Sequence, residues 1–259
     1  QFVTLYAFST ENWRRPAGEV SFLMDLMEET LLEQRDSLRR NGIRLTAIGE
    51  LDRLPARLRS LLLEIQEDSN SSSSRSAAVG GGAAASSAPG VRPSVAIPVE
   101  AEAAGGDSGA SSSSSRNSGG GDIAPPLPQQ PIAADPPTAT MTLCLAISYG
   151  GRSELAAAAR ELAAEAAAGR LDPADIDEPA LARRLSTSRL GIPDPDLVVR
   201  TSGESRLSNL LVWQSAYSEL CVVGKAWPDF RRPDLVEAFR DYGRRRRRFG
   251  KTPDQMAEP

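Results

Sequence analysis

Strand-like apolar runs alternate with long amphipathic segments along this chain, and that alternation restricts the fold more than any other feature. The opening run "QFVTLYAFS" carries Phe2, Val3, Leu5, Tyr6 and Phe8, residue types that favour strands. After a polar loop, "TENWRRP", the stretch "EVSFLMDLMEETLLEQRDSLRRNG" places Val20, Leu23, Leu26, Met27, Leu31 and Leu38 at helical spacing, and Asn41-Gly42 supplies the stop. "IRLTAIG" predicts a second strand, and "LPARLRSLLLEIQEDS" a second helix with Pro55 in its first turn. "MTLCLAISYGG" predicts a strand running into a glycine turn, followed by a helix over "SELAAAARELAAEAAAG". "DLVVRTSGESRLSNLLVWQSAYSELCVVGKAWPDF" reads as strand, loop, helix, strand, with that helix starting near Leu207. "RPDLVEAFRDYGRRRRRFG" predicts a last helix. Strands alternating with helices imply an α/β domain, with a largely parallel central sheet flanked by helices.

One segment breaks the pattern. Residues 69–139 are nearly all Ser, Gly, Ala and Pro, a composition that buries too little apolar surface to offset the entropy of ordering. They are expected to form a disordered insertion. Residues 1–68 and 140–252 then make up one domain, and 253–259 a tail.

The chain has no histidine, which removes Ser-His and Cys-His nucleophile schemes and the commonest general base. Any chemistry must use carboxylates, arginines, hydroxyls and amides. The two cysteines, Cys144 and Cys221, lie in apolar runs and predict reduced core thiols. A formal net charge of −4 gives no reason to expect nucleic-acid binding. No apolar run approaches the roughly 18 residues that span a bilayer.

In open α/β sheets, ligands bind beyond the carboxyl ends of the strands. Three loops are expected there. The first carries Ser9, Thr10, Glu11, Asn12, Arg14 and Arg15, the second Tyr149 and Arg152, and the third spans 200–209, "RTSGESRLSN". Arg200 and Arg206 suit a phosphate, because the planar guanidinium holds two oxygens at once. Ser208 adds a hydroxyl, and a helix starting near Leu207 would aim backbone N–H groups at an anion. Trp213 and Trp227 are expected in the core, and the arginine run 244–248 on a solvated helix face or against anionic lipid headgroups.

Together, "LYAFSTENWRRP", "SYGGR" and "DLVVRTSGESRLSNLLVWQSAYSEL…WPDF" resemble the cis-prenyltransferase family, the undecaprenyl and dehydrodolichyl diphosphate synthases. The likeness covers both ordered parts in order and extends to the final "RRRRRFG". It implies an Mg2+-dependent enzyme that adds isopentenyl diphosphate to an allylic diphosphate such as farnesyl diphosphate. By the same resemblance Arg200, Arg206, Leu207 and Ser208 hold isopentenyl diphosphate, and Glu219 is the magnesium-linked glutamate. Ser9, Thr10, Glu11, Trp13 and Arg15 fall on the substrate-contact loop, and Asn12 on the residue proposed to assist proton removal. An amide is a poor base, so Asn12 is expected to orient a proton path to a diphosphate oxygen. The growing chain would lie in an apolar tunnel, with the helix over 20–38 as one wall.

The family's Asp-Gly-Asn-Gly-Arg-Trp motif would precede Gln1, so the chain resembles an N-terminally truncated member. Ser205 stands where many members carry histidine, and Ser202-Gly203 replaces a glycine pair. The alternatives are an inactive fragment or a non-catalytic supporting subunit of a heteromeric polyprenyl diphosphate synthase, and the latter has no need of Arg200, Arg206, Ser208 and Glu219. The resemblance further implies a homodimer, with peripheral contact to a membrane. Cytoplasm and endoplasmic reticulum surface are the expected locations, and the plastid is a third.

Overall fold

The computed structural model describes residues 1–76, 94–98 and 141–247. Six parallel strands form one sheet: β1 (Phe2–Ser9), β2 (Ile43–Ile48), β3 (Ser94–Pro98), β4 (Met141–Tyr149), β5 (Leu197–Arg200) and β6 (Glu219–Val222). Their order across the sheet is β2-β4-β1-β3-β5-β6. The helices are α1 (Ala17–Arg40), α2 (Ala56–Ser76), α3 (Gly151–Ala167), α4 (Glu178–Ala182), α5 (Ser186–Arg189) and α6 (Arg232–Arg244). The α/β architecture read from the alternation is therefore the one observed.

Side chains of β4 sort onto two faces by strand periodicity. Leu145 and Ile147 join a core with α1 and α2, while Cys144 and Ala146 join one with Leu190, Ile192 and Leu210. Strand β1 breaks that rule usefully. Tyr6 and Phe8 have the same parity but enter different cores, because the register against β4 slips between them. The slip turns Phe8 towards the turn that follows, where it meets Trp13 edge-on with ring centroids 5.0 Å apart. On α1 the buried positions are Met24, Leu31 and Leu38, seven residues apart, which repeats one face every two turns.

Three expectations are corrected here. Ser94–Pro98, inside the segment expected to be disordered, forms β3 between β1 and β5, with Val95, Ala96 and Ile97 buried. Its "SVAIP" is the β-branched, apolar exception in a Ser/Gly/Ala tract. Helix α2 runs on to Ser76, past the expected break at 68, and the buried Ser69 hydroxyl accepts a hydrogen bond from Leu45 N (3.1 Å). The rest of the expected insertion, and the tail, lie outside the described residues.

Finally, the last helix stops at Arg244, and Arg245 and Arg247 beyond it fold back onto the domain rather than extending a solvated helical face. Arg245 donates to Glu219 Oε2 (3.0 Å) and to Leu220 O (2.9 Å), and Arg247 binds Asp196. Among the described residues, no helix is long and apolar enough to cross a membrane.

Both thiols are free and buried, as expected. Burial pushes the Cys144 thiol up to about 12, with the Glu154 charge adding and a Thr4 hydrogen bond opposing. Cys221 is raised too, by burial first. Because the thiolate is the reactive form, neither cysteine of the native protein should be alkylated by iodoacetamide at pH 8, whereas both should react in urea. Stoichiometric labelling without denaturant would contradict this packing.

Candidate active site

The carboxyl ends of β1, β2, β4 and β5 bring four loops to one rim of the sheet. After β1, the chain turns through a 3-10 segment, Thr10–Arg14, capped reciprocally. Ser9 Oγ accepts from Asn12 N (3.2 Å), and Asn12 Oδ1 accepts from Ser9 N (2.7 Å). The carboxamide oxygen of Asn12 is thus committed to the cap, which leaves it unsuited to accept a proton. Trp13 is pinned by its indole N–H, which donates to Ser148 Oγ (2.9 Å). On its other side the Arg53 guanidinium lies 4.9 Å from the ring centroid, and Arg53 also pairs with Glu50 (2.9 Å). Arg15 pairs with Glu19 in the first turn of α1 (2.8 Å).

A cleft of about 460 Å3 opens here, lined by Thr10, Glu11, Trp13, Arg14, Glu50, Arg53 and Ser153. Glu11 and Glu50 supply its carboxylates. Burial would raise the pKa of Glu11, but its own backbone N–H and the Asn209, Ser9 and Thr10 side chains outweigh this and hold it below the ordinary value. Glu11 therefore stays ionised at neutral pH, and what its contacts contribute is lost only as pH falls through that lowered value. A second cavity, about 340 Å3, lies at the far end of α1 beside Leu38 and Ile65. Arg35 bridges α1 to Glu64 and Asp68 of α2 there. One apolar core runs between the two, from Trp13 to Leu38 and Ile65.

The loop after β5 has a different shape from the expected one. No helix starts near Leu207. Ser202, Ser208, Asn209 and Leu211 all have positive φ, which a right-handed helix excludes, so 201–217 is a succession of turns. Its bonds run outward instead. Ser202 N donates to Lys225 O (2.7 Å) and Gly203 N to Val223 O (2.9 Å), tying the loop to the segment after β6. Arg200 is 2% exposed, whereas Arg206 is exposed and paired with Glu204; Leu207 and Ser208 are half-buried. Behind the rim, Glu154 accepts hydrogen bonds from Tyr149 Oη (2.7 Å), Gln214 Nε2 (3.1 Å) and Ser186 N (2.8 Å), seating the turns against α3 and α5.

Of the expected site residues, the structure brings Thr10, Glu11 and Trp13 to the cleft, with Ser9, Asn12 and Arg15 in or beside the same turn. The loop bearing Arg200, Arg206, Leu207 and Ser208 joins that turn through Asn209. Glu219 is not on this rim. It pairs in register with Leu197 at the start of β5, three residues or about 10 Å from Arg200 at the usual strand rise, and its carboxylate is bound to Arg245. Glu50, Arg53, Ser153 and Glu154 were not among the expected site residues, and neither Arg14 nor Asn209 had been given a role beyond its place in a loop. Glu50 and Arg53 had a signal: they follow β2, and the carboxyl-end rule applies to that strand too.

A family model described as "Putative undecaprenyl diphosphate synthase" matches residues 1–79 and 130–250. Residues 80–129, β3 among them, lie outside the match. The chain is 34% identical over 254 residues to an isoprenyl transferase of Chlorobaculum tepidum, covering 98% of this chain and 70% of that protein. It is 36% identical over 249 residues to an isoprenyl transferase of Brucella abortus, covering 96% and 71%. In structure it is similar to lavandulyl diphosphate synthase from Lavandula x intermedia, solved with dimethylallyl diphosphate (TM-score 0.67, 28% identity, 96% of this chain and 79% of that one). A probable undecaprenyl diphosphate synthase from Campylobacter jejuni shares the fold (TM-score 0.63, 24% identity, 97% and 84%).

Proposed function

The chain belongs to the undecaprenyl diphosphate synthase family and is a prenyl-transferring enzyme, and from that premise we propose that it joins isopentenyl diphosphate to an allylic diphosphate, such as farnesyl diphosphate, to build a long polyprenyl diphosphate. One observation carries this reading: the turn after β1, which brings Thr10, Glu11, Trp13 and Arg14 to the cleft, is bound through Asn209 to the loop that bears Arg200 and Arg206, and its Trp13 packs against an apolar core. The allylic C–O bond would break, with the electron pair leaving on diphosphate. The terminal alkene carbon of isopentenyl diphosphate would bond to the allylic carbon, and the methylene next to the resulting tertiary cation would release its proton to a diphosphate oxygen, its C–H electrons forming the new double bond.

In this scheme Arg200, Arg206 and Ser208 hold isopentenyl diphosphate, because paired guanidinium donors match diphosphate oxygens. Thr10, Trp13 and Arg14 face the allylic partner. Asn12, with its oxygen held in the cap, orients rather than deprotonates. The prenyl chain lies along the core from Trp13 towards Leu38, and each added unit removes further apolar surface from water.

Magnesium belongs to the reading only in a limited form. Among the described residues no three His, Cys, Asp or Glu side chains are grouped to hold a metal, and Glu219 is bound to Arg245 away from the rim. The residues present do not fit a protein cage for Mg2+. That ion typically keeps several waters and is held largely by substrate phosphates, so it would arrive on the diphosphates.

Incubation with radiolabelled isopentenyl diphosphate, farnesyl diphosphate and Mg2+ should transfer label into butanol-extractable polyprenyl diphosphate. Omitting the allylic diphosphate should abolish incorporation. An absence of labelled product at saturating substrates and metal would defeat the enzyme reading and favour a supporting subunit.

A further inference from the structure

Asn209 binds two other rim segments through three of its atoms. Its side-chain N–H donates to Glu11 Oε1 (2.8 Å), and its side-chain oxygen accepts from Arg152 N (2.9 Å). Its backbone oxygen accepts from Gly151 N (2.8 Å). One residue thus touches the turn after β1, the start of α3 and the loop after β5. It does so with φ of 65°, a left-handed conformation that Asn, Asp and Gly tolerate best. The fit is tight on the other side as well: a Cβ on Gly150 would lie 2.8 Å from Asn209 Nδ2 and 2.5 Å from Thr10 Oγ1.

We infer that Asn209 is a positioning residue that locks the Glu11 turn to the arginine loop, so that the sites for the two diphosphates form as one unit. The inference rests on the reading that these loops hold the two substrates. Its chemistry is specific. Glu11 is ionised and accepts only, so its partner must donate, and Thr10 Oγ1 already supplies a hydrogen bond to the other carboxylate oxygen (3.1 Å). An amide at 209 gives Glu11 its donor and Arg152 N its acceptor at once. No other side chain of that size offers both in a left-handed backbone.

The variant Asn209→Asp keeps the shape, the tolerance for positive φ and the acceptor for Arg152 N, but sets a second carboxylate against Glu11. Dissociation constants for isopentenyl diphosphate and for farnesyl diphosphate, measured separately by calorimetry, should both rise about tenfold, the scale of a lost hydrogen bond to a charged group. Glu11→Gln in the same background restores a donor–acceptor pair with reversed polarity. The double variant should therefore bind both ligands more tightly than the product of the single effects predicts. Asn209→Gly, which keeps the φ and has no side chain, should weaken both ligands and show no such rescue. It also serves if Asn209→Asp fails to fold.

Unchanged constants in Asn209→Asp or in Asn209→Gly, or strict additivity in the double variant, would overturn the positioning role. If the unsubstituted chain binds neither diphosphate, the functional reading fails first. If it binds both and the variants do too, the inference fails alone.

Discussion

Gly49→Ala is expected to lower stability more than any other single methyl addition at the described glycines. Gly49 has φ of 118°, a region open essentially to glycine, and a Cβ there would lie 2.1 Å from the Ile147 carbonyl oxygen. That neighbour is backbone in the buried strand β4, so it cannot swing aside. Strained φ and a forced backbone shift together cost about 3–5 kcal/mol, a large share of a typical domain's stability. For a chain of this size the melting temperature should fall by roughly 10 °C.

Activity should fall too, because Glu50 N donates to Ser148 O (3.0 Å) beside the Ser148 hydroxyl that pins Trp13. Gly18→Ala is the control. It sits in the first turn of α1, where an added Cβ would meet nothing within 4 Å, and alanine there should stabilise by about 0.5–1 kcal/mol. A Gly49→Ala protein melting within a degree or two of the parent would mean that the β2–β4 junction is far looser than this packing requires.

Arg200→Ala should produce the largest change in substrate handling. Arg200 ends β5, its side chain is 2% exposed, and Val223 N binds its backbone oxygen (2.7 Å). Removing a charge-assisted donor set from a buried site raises the KM for isopentenyl diphosphate by about 10- to 100-fold, while the KM for the allylic diphosphate changes little. Arg200→Lys restores the charge but not the fork, and should recover only part of the loss. An unchanged KM accompanied by a lower melting temperature would make Arg200 a structural cation of the β5–β6 core and remove it from the substrate site.

The elements legible in advance were those whose signal is local. Helical spacing of Val20, Leu23, Leu26, Met27, Leu31 and Leu38 announces α1, and the largely apolar run 141–149 before a glycine turn announces β4. The misreadings came where distant partners overrode local preference. "LSNLLVWQ" has a helical composition, yet Asn209 and Gly151 bind across the rim and hold residues at positive φ, so turns replace the helix. In "RRRRR" the charge was visible, but Asp196, Asp241 and Glu219, which receive Arg245 and Arg247, are scattered over the sequence.

By itself, then, the sequence determined the layer order of the fold, the absence of histidine chemistry and the family to which the motifs at 5–16, 148–152 and 196–230 point. Hydrophobic periodicity and residue chemistry act over a few neighbours, and both can be read along a line. Only the tertiary structure decided that Ser94–Pro98 is a strand between β1 and β5, that Arg200 is buried while Arg206 is exposed, and that Asn209 joins two loops 198 residues apart in the chain. Each of those depends on which groups meet after the sheet closes, and a hydrogen bond that satisfies a buried or ionised group outweighs the weak local propensity of the segment that supplies it.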